Sequence, residues 1–393
     1  MLNNSRLLLI ITISFSLGIF ILNFITINLS GIYWILTLNA ILLMTLWSNR
    51  IVRAVGLSII FFLLGIIYPH YVEKIFTVND HLFLVKWLDY LRNLYTISLN
   101  EVLAYPQSSL ASGLVLGIKS SFPQDLKQAF INTGTIHIVA VSGFNITIML
   151  KIFADWFKYF GRFFSFFGGT VVIVLFIILV GGQASVVRAG IMGWLFLLAK
   201  FIHRLPSIRN ALFVTAFLMI LQEPAILVKD IGFQLSFLSM LGLVYISPII
   251  RFYFKKMANY NKLPKLLRGS LTETLSAQMA VNLLILGHFG RLSLVAIITN
   301  LLIVPIIPIP MIGGIFIGAL GIIGKTAISY LAIPLDLVLR YILKITEIFN
   351  KIPFASLEFG KLNWWIVLFG YITAIVLLRI IYLKLPKNIF YEE

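Results

Sequence analysis

The sequence predicts an all-α, polytopic integral membrane protein. Of the 393 residues, 60% are hydrophobic and only 11% are charged, and the mean hydropathy is +1.01, whereas a soluble domain is about a quarter charged. Several apolar runs reach about 17–21 residues, which is long enough to cross a hydrocarbon core of about 30 Å. Because no water at that depth satisfies backbone groups, these runs must be helices. We expect about ten to twelve transmembrane helices.

The net charge of +17 is concentrated in short loops. Basic residues cluster within residues 50–53, 158–162, 200–209 and 251–268. Such clusters mark the cytoplasmic side of a membrane, so topology accounts for most of the excess charge and binding of a polyanion is not needed to explain it. A cytoplasmic N-terminus places every cluster inside, together with the C-terminal tail. We therefore expect a multi-pass protein of the cytoplasmic (inner) membrane with both termini in the cytoplasm.

The elements follow in order along the chain. Residues 1–68 form an N-terminal transmembrane region, with helices at about 7–27, 32–47 and 51–68. Residues 69–104 form an outer connecting region, in which polar and apolar residues alternate with a helical period, indicating an amphipathic helix that lies on the membrane or on the protein. Residues 105–325 form the core, with further spans at about 136–154, 166–182, 186–201, 211–228, 231–250 and 274–289.

The segment 292–324 is interrupted by prolines and glycines, namely Pro305, Pro308, Pro310, Gly313 and Gly314. These residues break helices unless neighbouring protein satisfies the freed backbone groups, which favours a helical hairpin or a re-entrant loop. Within it, Gly314-x-x-x-Gly318 is typical of close helix packing, as is Gly113-x-x-x-Gly117. Residues 326–393 then provide an amphipathic helix, with Asp336 and Arg340 as a possible i,i+4 pair, and a last span at about 363–383.

Three helices, 136–154, 186–201 and 231–250, run from the outside inwards in this topology and carry polar residues in their first turns. If the three adjoin, they line a polar vestibule open to the outside. The candidate pore or vestibule residues are His137, Ser142, Asn145, Gln183, Ser185, Arg188, Asp230, Gln234 and, before the proline cluster, Asn300. Polar groups are costly inside a membrane and commonly mark a site or a pathway.

Each of these residues also has a structural interpretation. Ser142 and Asn145 share a helix face and either line a path or bond to a neighbouring helix. Arg188 either receives a phosphate, which its planar fork suits, or extends to the interface. Asp230 either caps its helix or pairs with Arg188.

The sequence offers no clear catalytic site. Ser142 with His137 or His288 superficially supplies a nucleophile and a base, but Ala140 stands where a rhomboid-type protease has glycine. The five histidines show no metal-ligand spacing, and the absence of cysteine excludes thiol nucleophiles and cysteine metal sites. We therefore expect no catalytic residues, no metal and no cofactor, and a protein that is not an enzyme.

Four segments resemble, in order, the signatures of the ComEC competence-protein family, the membrane channel of bacterial DNA uptake. They are Thr133–Asn145 with the preceding Gly113–Gly117, Ser185–Met192, Asp230–Ser239, and Asn300 with the prolines after it. The resemblance covers about residues 105–325. It implies a channel that conducts single-stranded DNA across the cytoplasmic membrane during natural transformation, with membrane lipids, a separate cytoplasmic motor and a separate nuclease as partners.

The chain departs from that family in two respects. The family often carries a soluble outer domain and a metallo-β-lactamase-like domain, and we expect this chain to be the membrane core alone. Where the family commonly has S-G-x-H, this chain has Asn145 in place of the histidine, so a role for an imidazole there is not expected. A secondary transporter or exporter of another solute, or a structural subunit, remains the alternative; a broken segment such as 292–324 is typical of transporter sites.

Overall fold

The computed structural model describes residues 4–22, 29–45, 50–72, 83–118, 122–139, 143–257, 262, 264–322 and 326–385, and these are almost entirely helical. The helices are α1 (Asn4–Leu22), α2 (Leu29–Thr45), α3 (Arg50–Tyr71), α4 (Phe83–Val102), α5 (Gln107–Leu116), α6 (Gln124–Asn132), α7 (Ile136–Val139), α8 (Gly143–Phe157), α9 (Gly161–Val180), α10 (Ala184–Phe201), α11 (Ile208–Gln222), α12 (Ile226–Lys229), α13 (Ile231–Tyr245), α14 (Ser247–Lys255), α15 (Lys265–Phe289), α16 (Ala296–Ile303), α17 (Pro308–Gly321), α18 (Thr326–Leu331), α19 (Ile333–Asn350) and α20 (Trp364–Lys384). Two short strands, β1 (Arg291–Ser293) and β2 (Ser356–Glu358), pair antiparallel.

The predicted all-α class is confirmed, but the predicted number of spans is not. Five helices of the described residues are long and apolar enough to cross a membrane: Val52–Tyr71, Gly161–Val180, Ala184–Phe201, Ile231–Lys255 and Trp364–Lys384. The bent pair α16–α17 makes a sixth if it counts as one span. Other predicted spans correspond to shorter apolar helices, Leu7–Leu22, Trp34–Leu43 and Ile208–Gln222. The predicted span 136–154 corresponds to α7 and α8, which flank residues 140–142, outside the described ones.

A helix that is buried along its whole length lies at the centre of the main core. Every residue of α5 is buried, and around it pack apolar residues of α4, α6, α16, α17 and α19. The amphipathic helix predicted in 69–104 is α4, and its apolar face lies on the protein: Leu99 is fully buried in this core. The glycine motif of α17 packs against α4, as a close-packing motif predicts, because a Cβ on Gly318 would lie 2.2 Å from Cε2 of Tyr95.

The proline-rich segment belongs to a longer loop of the chain. Helices α16 and α17 are bent by 45° at the break between them, which fits a broken span or a re-entrant loop. The return is made by α19, and β2 then pairs with β1 so that Arg291 lies opposite Glu358. Residues 291–358 therefore leave and rejoin the same region of the fold. The sequence predicts this return within residues 292–324 alone.

The amphipathic helix predicted in 326–350 is α19. Its apolar face is buried in the core, where Leu339 and Ile342 are fully inaccessible. Its other face is charged, and the predicted pair is present, with Arg340 Nε 2.6 Å from Asp336 Oδ2. On the same face Lys351 donates a hydrogen bond to Glu347, which, with Lys344 nearby, lowers the pKa of that carboxyl. A charged face of this kind requires contact with water rather than lipid.

Candidate functional site

The helices α8, α10 and α13 meet near their N-termini, around Arg188 of α10. Nη1 of Arg188 donates a hydrogen bond of 2.5 Å to the carbonyl oxygen of Ser236, in α13. At the first residue of α8, Gly143, an added Cβ would lie 2.9 Å from Nη2 of Arg188 and 3.1 Å from Cβ of Ala189. The predicted adjacency is therefore confirmed for α10 with α8 and for α10 with α13, and Arg188 lies at both contacts.

Glycine at position 143 is required by this arrangement. A side chain there would occupy the space next to the guanidinium and would press on Ala189. The close approach brings the N-terminal end of α8 beside the arginine. The partial positive charge of that N-terminus therefore lies next to a formal positive charge, whereas Arg188 and Ser236 themselves lie in the second turns of α10 and α13.

Arg188 has hydrogen-bonding capacity that the described residues do not use. The residue is only 7% exposed, and its Nε has no hydrogen-bond partner among the described residues. Oγ of Ser236 is likewise buried and unpaired within that part of the chain. The guanidinium carbon lies 5.8 Å from the centroid of the Phe237 ring, a cation–π contact that partly offsets its burial. Positive charge with spare donors, and with no carboxylate paired to it among the described residues, suits an anion.

Asp230 does not supply the missing negative charge. Its Oδ1 accepts a hydrogen bond of 2.8 Å from the backbone N–H of Phe233, which makes Asp230 the N-cap of α13. Both residues are among those described, and no ion pair joins Asp230 to Arg188. Of the two interpretations that the sequence left open, the structure shows the cap.

Gln234 holds three elements together. Its Nε2 donates to the carbonyl oxygens of Leu227 and Val228, each at 3.0 Å, and its Oε1 accepts from Nε2 of His288 at 3.0 Å. These bonds connect α13 with α12 and with the end of α15. Gln234 thus has a structural role that the sequence did not reveal, because nothing in the local pattern pairs it with a histidine 54 residues later.

Asn145 also serves the packing of helices. The residue is 2% exposed, and its Nδ2 donates a 2.7 Å hydrogen bond to the carbonyl oxygen of Leu114. Leu114 lies in the last turn of α5, where carbonyl groups have no partner within the helix. Asn145 therefore closes the C-terminal end of the buried helix.

The remaining predicted residues are dispersed around these helices. His137 lies in α7 with an exposed side chain; Gln183 precedes α10, and Ser185 lies in its first turn, half-buried. Asn300 of α16 is buried, and its Oδ1 has no hydrogen-bond partner among the described residues. Ser142 lies outside the described residues. No group of three histidine or acidic side chains suited to a metal occurs in the part of the chain that the structure describes.

Two residues of the site were not predicted from the sequence, Ser236 and Phe237. Both lie in the segment that resembles a family signature, but they are apolar or weakly polar residues in an apolar helix. Helical spacing places Ser236 about 200° from Gln234 around α13, so a search for residues that share a face with Gln234 could not find it.

Comparison with known proteins gives three matches that bear on this site. The family model described as Competence protein matches residues 114–384. ComE operon protein 3 of Bacillus subtilis (strain 168) is 24% identical over 266 residues, which are 63% of this chain and 32% of that protein. The uncharacterized protein MG316 homolog of Mycoplasma pneumoniae is 29% identical over 190 residues, which are 48% of this chain and 46% of that protein. The chain thus spans less than half the length of either relative, and no solved structure matches it.

Proposed function

Since this chain belongs to the competence protein family, whose model matches residues 114–384, we propose that it is a membrane channel that conducts single-stranded DNA across the cytoplasmic membrane during natural transformation. The family model is described as Competence protein and the relative from Bacillus subtilis is named ComE operon protein 3, which together support a role in DNA uptake. The proposal extends that role to the conducting path itself.

The observation that carries the proposal is the convergence of α8, α10 and α13 on Arg188. Each nucleotide of a single strand brings one phosphate, and phosphates bind where helix N-termini and arginine donors point at the same place. Nε of Arg188 and Oγ of Ser236 are unpaired among the described residues and lie on the two helices that the arginine joins. We infer that a phosphate of the strand binds here and dissociates again, because a single cation does not bind a phosphate irreversibly.

The arrangement in the membrane follows from the charges. We propose ten to twelve spans with both termini in the cytoplasm, so that α8, α10 and α13 begin on the outer side and Arg188 lies in the outer half of the membrane. The protein then guides the strand without chemistry of its own and is not an enzyme. A cytoplasmic motor supplies the energy, a separate nuclease processes the duplex, and the basic inner loops contact anionic lipid.

The test is the entry of labelled transforming DNA into a DNase-protected pool in cells. We expect a deletion strain to bind DNA outside and import none. Arg188→Met keeps the length and apolar stem of the side chain but removes the charge, and we expect it to lower entry at least 10-fold, since a hydrogen bond to a charged group contributes about 1.5–3 kcal/mol. Arg188→Lys keeps the charge without the planar fork, so its DNA entry should lie between that of the wild type and that of Arg188→Met.

The matched control is Arg340→Met, which removes an exposed arginine paired with Asp336 on α19 and should leave entry unchanged. Membrane levels of every variant are measured alongside. Normal entry in Arg188→Met would remove this residue from the path and leave it as a clamp between α10 and α13. Normal entry in the deletion strain would contradict the channel itself.

One observation favours a second candidate, a transporter of another solute. Helices α16 and α17 form an apolar pair bent by 45° at a break that includes Pro305, and broken helices of this kind line the sites of secondary transporters. The same DNA-entry experiment separates the two, because a transporter of another solute would leave DNA entry unaffected by deletion.

A further inference from the structure

A polar pocket lies away from Arg188, where α6 meets the end of α19 and β2. Its volume is about 320 Å³, which falls within the range of small-molecule sites. The lining residues are Gln128, Asn132, Asn350, Ile352, Phe354, Ala355, Ser356 and Glu358. Most of this lining is polar.

Three side-chain amides form a chain along one wall of the pocket. Nε2 of Gln128 donates to Oδ1 of Asn132, and Nδ2 of Asn132 donates to Oδ1 of Asn350, both at 2.9 Å. The two bonds fix the orientation of the amides. They leave the carbonyl oxygen of Gln128 at one end and the amide N–H groups of Asn350 at the other, so the wall presents both an acceptor and donors.

The pocket carries a carboxylate whose charge is already balanced. Glu358 lines it, and Oε1 of Glu358 lies 3.0 Å from Nε of Arg291 across the β1–β2 pair. A phosphate would find this arginine already engaged by the carboxylate. An uncharged, planar group with hydrogen-bonding edges suits the wall better.

An aromatic ring lies at the rim. Phe354 is 75% exposed, and its backbone has φ of 61°, a left-handed conformation that is unfavourable for any residue with a Cβ. The fold thus holds an apolar side chain away from the protein interior, on a backbone that glycine would adopt more easily. Residues in such conformations are concentrated at ligand sites.

We propose that this pocket binds a nucleobase of the incoming single strand, which stacks on Phe354 and bonds through its edge to the amide chain. This inference rests on the proposed function, in whose orientation β1 follows α15 on the outer side, where the strand arrives. Base stacking on an aromatic ring tolerates all four bases, as a conduit for any sequence requires. The pocket takes a base, and Arg188 takes phosphates.

The test uses the full chain in lipid nanodiscs and two fluorescent probes of equal length: a single-stranded oligodeoxynucleotide, and the same backbone with abasic positions throughout. We expect the wild type to prefer the base-bearing strand. Phe354→Gly suits the local backbone, so the fold is retained, and it should weaken binding of that strand about 5- to 150-fold, the contribution of one stacked base, without changing binding of the abasic strand. Phe354→Trp should restore the preference.

Phe359→Ala is the matched control, because Phe359 is also exposed and lies beyond the pocket lining; it should bind as the wild type does. Equal binding by Phe354→Gly and the wild type would overturn the inference. An equal loss of binding for both probes, or an equal loss in Phe359→Ala, would also overturn it and would indicate that the ring anchors the protein in lipid headgroups. These binding results concern the pocket alone and do not contradict the channel. Normal DNA entry in a deletion strain would refute the proposed function itself.

Discussion

The polar side chains in the apolar helices differ in how completely their hydrogen bonds are satisfied. Asn145, Asp230 and Gln234 each bond to backbone groups that lack partners at helix ends. Arg188 and Asn300 keep buried atoms that have no partner among the described residues. Unpaired polar atoms are unfavourable in an apolar interior. A ligand that bonds to Arg188 or Asn300 would therefore stabilise the protein more than one that bonds to the first three residues. The sequence predicts an outer-half position for Asn145, Arg188, Asp230 and Gln234, and the cap at Asp230 was one of its two interpretations. The partners of Asn145, Arg188 and Gln234 were not predicted, because they belong to other helices.

Asn145→Leu tests the structural role of this residue. The substitution leaves the Leu114 carbonyl oxygen without the 2.7 Å bond that it accepts, and we expect it to lower the free energy of unfolding by about 1–3 kcal/mol. The measurement is thermal unfolding of the detergent-solubilised protein. Thr373→Val is the control, because this exposed hydroxyl donates to the Phe369 carbonyl oxygen within its own helix α20. An unchanged melting temperature together with impaired DNA entry would instead place Asn145 on the path.

At the scale of elements, a row of glycines on α17 gives the core a close helix contact. Tyr95 Oη donates to the Gly314 carbonyl oxygen at 2.5 Å and Ser98 Oγ donates to that of Gly318 at 2.8 Å, so α4 bonds directly to the backbone of α17. The glycine spacing predicted a close contact, and its existence is confirmed. The partner could not be predicted, because α4 lies more than 200 residues earlier and only the folded chain brings it there.

Gly318→Ala and Gly269→Ala form a matched pair for this contact. At Gly318 the new Cβ would lie 2.2 Å from Tyr95 Cε2, whereas at Gly269 of α15 nothing lies within 4 Å. We expect Gly318→Ala to destabilise the protein by about 1–3 kcal/mol through overpacking. Gly269→Ala should be neutral or stabilising by up to about 1 kcal/mol, because alanine favours a helix. Equal melting temperatures for the two variants would contradict the α4–α17 contact.

For the whole molecule, hydropathy located the helices well but not the way in which they join. The β1–β2 pair was missed because strands of three residues are too short to show an alternating pattern. The 45° bend between α16 and α17 was foreseen as a break from its prolines, but its angle depends on the packing of α17 against α4 and α19. Composition therefore indicates membrane residence, while the return of the chain is set by long-range contacts.

The orientation can be tested because the chain contains no cysteine, so a single introduced cysteine is the only thiol. Lys351→Cys lies at the end of α19, near the pocket, and Arg204→Cys lies between α10 and α11; both positions are exposed. We expect a membrane-impermeant maleimide to label Lys351→Cys in intact cells and Arg204→Cys only after permeabilisation. The reverse pattern would place the N-termini of α8, α10 and α13 on the cytoplasmic side.

The pairing of β1 with β2 also imposes an order on biosynthesis. Ser293 and Ser356 are partners in the pair, and the chain between them must be synthesised before either strand can find the other. The ends of α15 and α20 are joined at the same place, where the Leu362 N–H bonds to the Leu286 carbonyl oxygen. Closing so long a loop is entropically unfavourable until the helices within it have packed. The ribosome therefore completes α16 through α19 first, and the edge of β1 stays open to other chains until residue 358 has emerged.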